Sequence, residues 1–122
     1  MATYGESLGL SREHAMKVAT GFAGGMRMGE TCGAVTGALM TLGLRYAGAD
    51  SETRGSRDKI YASVRDFVSR FKARNGSVVC KDLLGCDLST PAGMAIIQEQ
   101  DLFNIICSKL VQDAAEILEE ML

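Results

Sequence analysis

The chain has few of the residues on which hydrolases and nucleic-acid-binding proteins depend. It contains one histidine, and its carboxylates form no pair at a catalytic spacing, so acid–base hydrolysis is not supported. The chain has 13 lysines and arginines and 15 aspartates and glutamates, which give a net charge of −2. This composition has no excess of basic residues to bind a phosphate backbone. We therefore expect neither a hydrolase nor a protein that binds nucleic acid.

Long apolar segments are also lacking. The longest uncharged segment, Cys32–Leu44, is too short to span a bilayer. The first residues show no basic segment followed by an apolar one, so no secretory signal is expected. These absences predict a cytoplasmic protein without a membrane span. In that reducing compartment, the four cysteines are more typical of thiols, metal ligands or a redox pair than of structural disulfides.

Strand patterns are absent as well, whereas apolar residues recur at three- and four-residue steps. One proline and 14 glycines are typical of helices joined by glycine turns. We predict an all-α fold, with residues 1–122 as a single helical domain built as a compact irregular bundle of four to five helices. The predicted helices are about 12–21, 32–44, about 57–74, a single turn at 80–84, a short helix or turn from 90 to about 98, and about 100–121, with residues 1–9 loose.

The segment that organises the chain is a glycine-rich bend followed directly by an apolar helix. Four glycines between positions 21 and 29 disfavour a helix there, and Thr31 is expected to cap the next one. Cys32 would then lie in the first helical turn, where unpaired backbone N–H groups favour a thiolate. Gly33 and Gly37 share one face, which allows another backbone to approach. The alternative is that Cys32 is a small buried apolar residue.

The other three cysteines are less informative one by one. Cys80 and Cys86 are separated by five residues, which is neither a zinc-knuckle nor a thioredoxin spacing. Cys107 lies on the apolar stripe of the predicted last helix, together with Phe103 and Val111. Taken alone, Cys107 is best interpreted as a core cysteine.

The cysteines taken together resemble a known family. The residues CGAVTG at 32–37 match the pattern CGAxxG, Cys80 follows in CKDLLG, and Cys107 lies in the last helix. From about Leu10 to its end, the chain is similar to the family of redox-active proteins named for the pattern C-GCAxxG-C-C. The resemblance implies a redox role and assigns Cys32, Cys80 and Cys107 to the site. The family has a further cysteine upstream of the motif. None precedes Cys32 here, and Cys86 is a fourth cysteine in a different place.

Three functional hypotheses follow. In the first, the protein is a thiol-based redox or electron-transfer protein, with Cys32 as the attacking thiolate and Cys80 or Cys107 as its partner. In the second, Cys32, Cys80, Cys86 and Cys107 hold an iron–sulfur cluster or another thiolate-bound metal. In the third, the chain is a helical interaction protein whose cysteines are structural. A homodimer is expected under all three, and the sequence identifies neither the substrate nor the redox partner.

Overall fold

The computed structural model describes residues 1–47 and 54–122, and within these ranges the protein is all-α with no strand. Five helices have eight or more residues, in agreement with the predicted bundle, and α1 and α5 are single turns. None of the helices in these ranges is long and apolar enough to cross a membrane. The helices are α1 (Ala2–Gly5), α2 (Arg12–Ala19), α3 (Gly33–Tyr46), α4 (Arg54–Asn75), α5 (Cys80–Leu84), α6 (Pro91–Glu99) and α7 (Ser108–Met121).

The main core lies where α3, α4 and α7 meet. Phe67 and Phe71 are four residues apart on one face of α4, and both are fully buried with ring centroids 6.0 Å apart. They pack in one cluster with Leu42 of α3 and Ile117 of α7. Burying each of these large side chains contributes about 1.5–3 kcal/mol. The two long helices predicted from the apolar spacing, α4 and α7, and the apolar helix α3 therefore supply the centre of the fold.

A second, smaller cluster is built from α5, α6 and the residues that follow α6. It contains Cys80, Leu84 and Ile97, and Cys86 and Cys107 pack against its edge. The helix boundaries here agree with the prediction, because they depend on local chemistry. Gly85 ends α5 with a φ of +75°, a conformation that glycine adopts without strain. The Thr90 hydroxyl accepts a hydrogen bond from the Gly93 amide, and a proline occupies the first turn of α6.

The prediction that residues 1–9 are loose is wrong. They form α1 and a short 3₁₀ turn, Glu6–Leu8, and they pack on the rest of the fold. The Tyr4 hydroxyl donates to the Glu119 carboxylate at 2.8 Å and lies 3.1 Å from the Ala115 carbonyl oxygen. At Gly37, an added Cβ would lie 3.8 Å from the Met1 backbone nitrogen, which is ordinary van der Waals contact, so this segment packs near α3 without an approach that requires glycine at position 37. Contacts across more than a hundred residues hold this segment, and a local pattern cannot show them.

The predicted last helix, from about Gln100 to Met121, is also not uniform. Asp101 has a φ of +54°, which separates α6 from the residues that follow. A π-helical turn, Phe103–Cys107, then leads into α7. A π turn holds one more residue than an α turn, so it changes which residues share a face. As a result Cys107 is half-buried, and Val111, expected on the buried stripe, is 59% exposed.

Candidate functional site

The site is organised by a short backbone pairing in front of α3. Thr31 and Val79 form an isolated antiparallel bridge, and the Cys32 amide donates to the Val78 carbonyl oxygen at 2.8 Å. The prediction that Thr31 caps α3 is therefore wrong. Cys32 itself occupies the N-cap position, with non-helical backbone angles and no side-chain capping bond. The Cys32 thiol therefore takes no part in capping α3.

The same bridge places a second cysteine next to Cys32. The Cys80 amide donates to the Glu30 carbonyl oxygen, and Cys80 is the first residue of α5. In an antiparallel register with position 31 opposite 79, Cys32 and Cys80 are diagonal neighbours on the same face. The chain leaves the bridge into a helix at each of these two cysteines. Two thiols from distant parts of the sequence thus lie at adjoining helix starts.

Cys107 completes a cluster of three thiols. Cys32, Cys80 and Cys107 all line one cavity of about 290 Å³, called the thiol cavity below. The π-helical turn that ends at Cys107 brings this residue to the cavity, and π turns within helices occur frequently at functional sites. The small residues Gly33 and Ala34 form part of the wall. The structure therefore brings together the three cysteines that the family resemblance assigned to the site.

Burial sets the protonation of two of these thiols. Cys80 is 6% exposed, and its burial raises its pKa to about 11, with smaller contributions from the charges that Cys32 and Cys107 carry when they are ionised. Burial, followed by the charge of Cys32, also raises the pKa of Cys107. Both groups hold their protons at neutral pH. Because the thiols influence one another electrostatically, a negative charge on one disfavours ionisation of its neighbours.

Arg27 is a site residue that the sequence did not single out. It lies in the bend that precedes the motif, where four consecutive residues, Gly24 to Arg27, have φ values between +58° and +66°. This left-handed conformation is strained for Met26 and Arg27, at about 1–2 kcal/mol for each residue. Strained backbone of this kind is concentrated at functional sites. Arg27 lines the thiol cavity, and of the described lining residues it alone carries a positive charge.

Gly25 is required by the backbone path of this bend. A Cβ added at Gly25 would overlap the backbone nitrogen of Glu30 and lie 2.7 Å from its carbonyl oxygen. Gly25 therefore allows the chain to fold back immediately before the bridge. The tight glycine turn beside the motif helix was predicted. The two strained non-glycine residues inside the turn have no sequence signal of their own.

Cys86 is not part of the thiol cavity. It is half-buried, its thiol donates to the Leu84 carbonyl oxygen at 3.8 Å, and it packs at the edge of the smaller cluster. All four cysteines are free thiols. In the part of the chain that the structure describes, no group of three or more His, Cys, Asp or Glu residues is arranged to hold a metal ion. The predicted set of four metal-binding thiolates is thus not gathered at one point, and metal binding stays a prediction.

Fold and site together define an all-α protein with three free thiols around one cavity. A family model described as "Putative redox-active protein (C_GCAxxG_C_C)" matches residues 1–121, and the chain belongs to this family. The resemblance deduced from the cysteine pattern is confirmed, and the match also covers the segment before Cys32, which holds no cysteine. No curated protein and no solved structure matches the chain.

Proposed function

We propose that this protein carries out reversible thiol–disulfide redox chemistry in which Cys32 pairs with Cys80 or Cys107. The observation that carries the proposal is the presence of these three free thiols on the wall of one cavity. Membership of a family described as redox-active supports it. The fourth thiol, Cys86, lies outside the cavity and has no role in the proposed reaction.

The roles of the thiols follow from their environments. The attacking group in disulfide exchange is a thiolate. Cys80 and Cys107 hold their protons at neutral pH because their pKa values are raised by burial first and by neighbouring negative charge second. Cys32 is the N-cap residue of α3, a 14-residue helix whose first backbone N–H groups favour a nearby negative charge. We therefore assign the attack to Cys32 and the resolving step to one of the other two thiols.

The reaction is balanced as a two-electron exchange. The Cys32 thiolate attacks one sulfur of an incoming disulfide, a mixed disulfide forms, and the other sulfur leaves and takes up a proton. The thiol of Cys80 or Cys107 then loses its proton and attacks the Cys32 sulfur, which releases the remaining half as a thiol. The protein dithiol is oxidised and the incoming disulfide is reduced to two thiols. A dithiol reductant reverses the process.

The test is a thiol count on wild type and single variants, made by alkylation and mass spectrometry. Mild oxidation of wild type should remove two of the four thiols, and a dithiol should restore them. Cys86→Ala is the matched control and should still lose two thiols. Cys32→Ala should form no intramolecular disulfide, and whichever of Cys80→Ala and Cys107→Ala does the same identifies the partner. Four inert thiols in wild type, or an undiminished disulfide in Cys32→Ala, would contradict the proposal.

The proposal includes the compartment and assembly expected from the sequence. In the cytoplasm, reducing dithiols would return the disulfide to its thiols.

A homodimer would cover some of the apolar side chains on α2, where Met16 is 53% and Val18 55% exposed. Light scattering after gel filtration measures the assembly directly: a homodimer has twice the chain mass of 13.0 kDa. A mass equal to one chain would exclude the dimer without affecting the thiol chemistry.

A further inference from the structure

The exposed residues that line the thiol cavity are of two unlike chemical kinds. Arg27, Phe103 and Val111 line the cavity and are exposed, so they form its mouth. Phe103 is 38% and Val111 59% exposed, and both come from the π turn and the helix that follows it. Arg27 comes from the left-handed bend that precedes the motif in the chain. A molecule entering the cavity therefore passes an apolar wall and a guanidinium group.

The depth of the sulfurs limits what can react with them. Cys32 is 8% exposed and Cys80 6% exposed, so neither thiol is presented on the surface of the protein. Disulfide exchange requires direct contact between the attacking and attacked sulfurs. A cavity of about 290 Å³ suits a small molecule better than a disulfide on a folded protein, which would have to bring its surrounding backbone into the cavity with it. This volume lies near the lower end of the range for small-molecule sites.

The charge at the mouth points to an anionic molecule. No carboxylate is found among the described residues that line the cavity. Glu30, the next acidic residue along the chain, has its carboxylate 3.5 Å from the Lys81 ammonium group. Gly24 leaves room for the guanidinium, since an added Cβ there would lie 3.3 Å from Nη1 of Arg27. A guanidinium group offers paired donors that suit a carboxylate or a similar anion.

We propose that the oxidant of this protein is a small disulfide bearing an anionic group, which Arg27 binds at the mouth while the S–S bond reaches Cys32. This inference rests on the proposed function and adds the class of substrate. The anionic disulfide accepts two electrons from the protein dithiol and leaves as two small anionic thiols, each with one proton. Arg27 is a binding residue for the substrate and takes no part in the electron transfer.

The test compares three small disulfides of similar size and different charge: dithiodipropionate, which is anionic, hydroxyethyl disulfide, which is neutral, and cystamine, which is cationic. The rate of intramolecular disulfide formation is followed by acid quench, alkylation and mass spectrometry at low ionic strength. Each rate is divided by the rate of the same disulfide with mercaptoethanol, which removes differences in intrinsic reactivity. We expect the anionic compound to react about tenfold faster than the cationic one, and high salt to reduce this preference.

Arg27→Gln tests the assigned residue. It should slow the reaction of dithiodipropionate about fivefold and change that of hydroxyethyl disulfide less than twofold, because only the anionic compound loses a charged partner. Arg27→Lys keeps the positive charge and should retain most of the preference. Arg12→Gln, which removes an exposed arginine of α2, is the matched control and should behave as wild type.

The outcomes separate the substrate class from the underlying chemistry. If all three compounds form the disulfide at equal normalised rates, or Arg27→Gln leaves the charge preference intact, the inference is overturned and the thiol chemistry stands. The inference is also overturned if a disulfide on the surface of a folded protein oxidises this protein as fast as dithiodipropionate does. If none of the three forms a disulfide, both proposals fail. If Arg27→Gln does not fold, the inference is tested on wild type alone: the anionic disulfide must react fastest and the cationic one slowest, and high salt must reduce this difference.

Discussion

Cys32 and Cys80 are held next to each other by one antiparallel bridge, in which the amide of each donates to a carbonyl oxygen of the other segment. The acceptors are Val78 for Cys32 and Glu30 for Cys80. The neighbouring positions of the two thiols therefore depend on main-chain hydrogen bonds, which do not change when a side chain is replaced. Variants at either cysteine should accordingly keep the geometry of the site.

The stability of the protein should fall in alkali because of Cys80. Burial, and after it the charges of Cys32 and Cys107, raises the pKa of Cys80 from its ordinary 9.0 to about 11. Above pH 9 the unfolded chain loses this proton and the folded chain keeps it, so the free energy of unfolding decreases as pH rises towards 11. Between these two pH values wild type should lose about 2 kcal/mol more than Cys80→Ala. Urea denaturation under reducing conditions at each pH measures the difference.

The control for this experiment is Cys86→Ala, which retains Cys80 and should show the same alkaline fall as wild type. Cys80→Ala removes a buried side chain and is destabilised at every pH. The slope against pH, not the absolute stability, is therefore the relevant quantity. Parallel curves for wild type and Cys80→Ala would contradict the prediction.

The bend before Cys32 should tolerate no side chain at Gly25. Its φ is +61°, and an added Cβ would overlap the Glu30 backbone. We expect Gly25→Ala to lower the free energy of unfolding by about 2–4 kcal/mol. Gly43→Ala is the matched substitution inside α3, where an added Cβ meets nothing within 4 Å. It should raise stability by about 0.5–1 kcal/mol, because alanine favours a helix over glycine. Equal effects of the two changes, measured by urea denaturation, would contradict the assigned backbone path.

Asp113 should make stability depend on pH in acid. Burial raises its pKa, but the hydrogen bond from Lys109 at 2.9 Å and the charges of Lys109 and Arg74 outweigh burial, and the net pKa lies below 3.8. As pH falls, the unfolded chain takes up this proton first, so the stabilisation is present above pH 3.8 and is lost as pH falls through the folded pKa. At pH 7, Asp113→Asn should be less stable than wild type by about 1–2 kcal/mol.

The difference between wild type and Asp113→Asn should shrink steadily as the pH of the denaturation series is lowered. Asp58→Asn replaces an exposed carboxylate of α4 and serves as the control, with an effect within about 0.5 kcal/mol. A loss in Asp113→Asn that is the same at pH 7 and in strong acid would show that the ion pair does not provide the stabilisation.

Most of the helix boundaries could be predicted from the sequence, because the signals that set them act within a few residues. The hydroxyl of Ser11 caps α2 as expected, by accepting a hydrogen bond from the His14 amide. Gly76 follows the end of α4 with a φ of +82°. Because these signals act only between neighbouring residues, two predictions are wrong: the Thr31 cap and the continuous last helix. Thr31 has the right chemistry for a cap, but the bridge to Val79 holds it in place, and Asp101 interrupts a helix although nothing beside it in the sequence indicates a break.

The sequence by itself determined the all-α class, the amphipathic faces, the glycine turn and the cysteine pattern that identifies the family. Only the tertiary structure decided that Cys32, Cys80 and Cys107 share one cavity, that Cys86 is left outside it, and that Arg27 stands at the mouth. The physical reason is the range of the interactions. Caps, turns and helical periodicity are encoded in neighbouring residues, whereas the thiols meet through a bridge and a π turn between segments far apart in the chain.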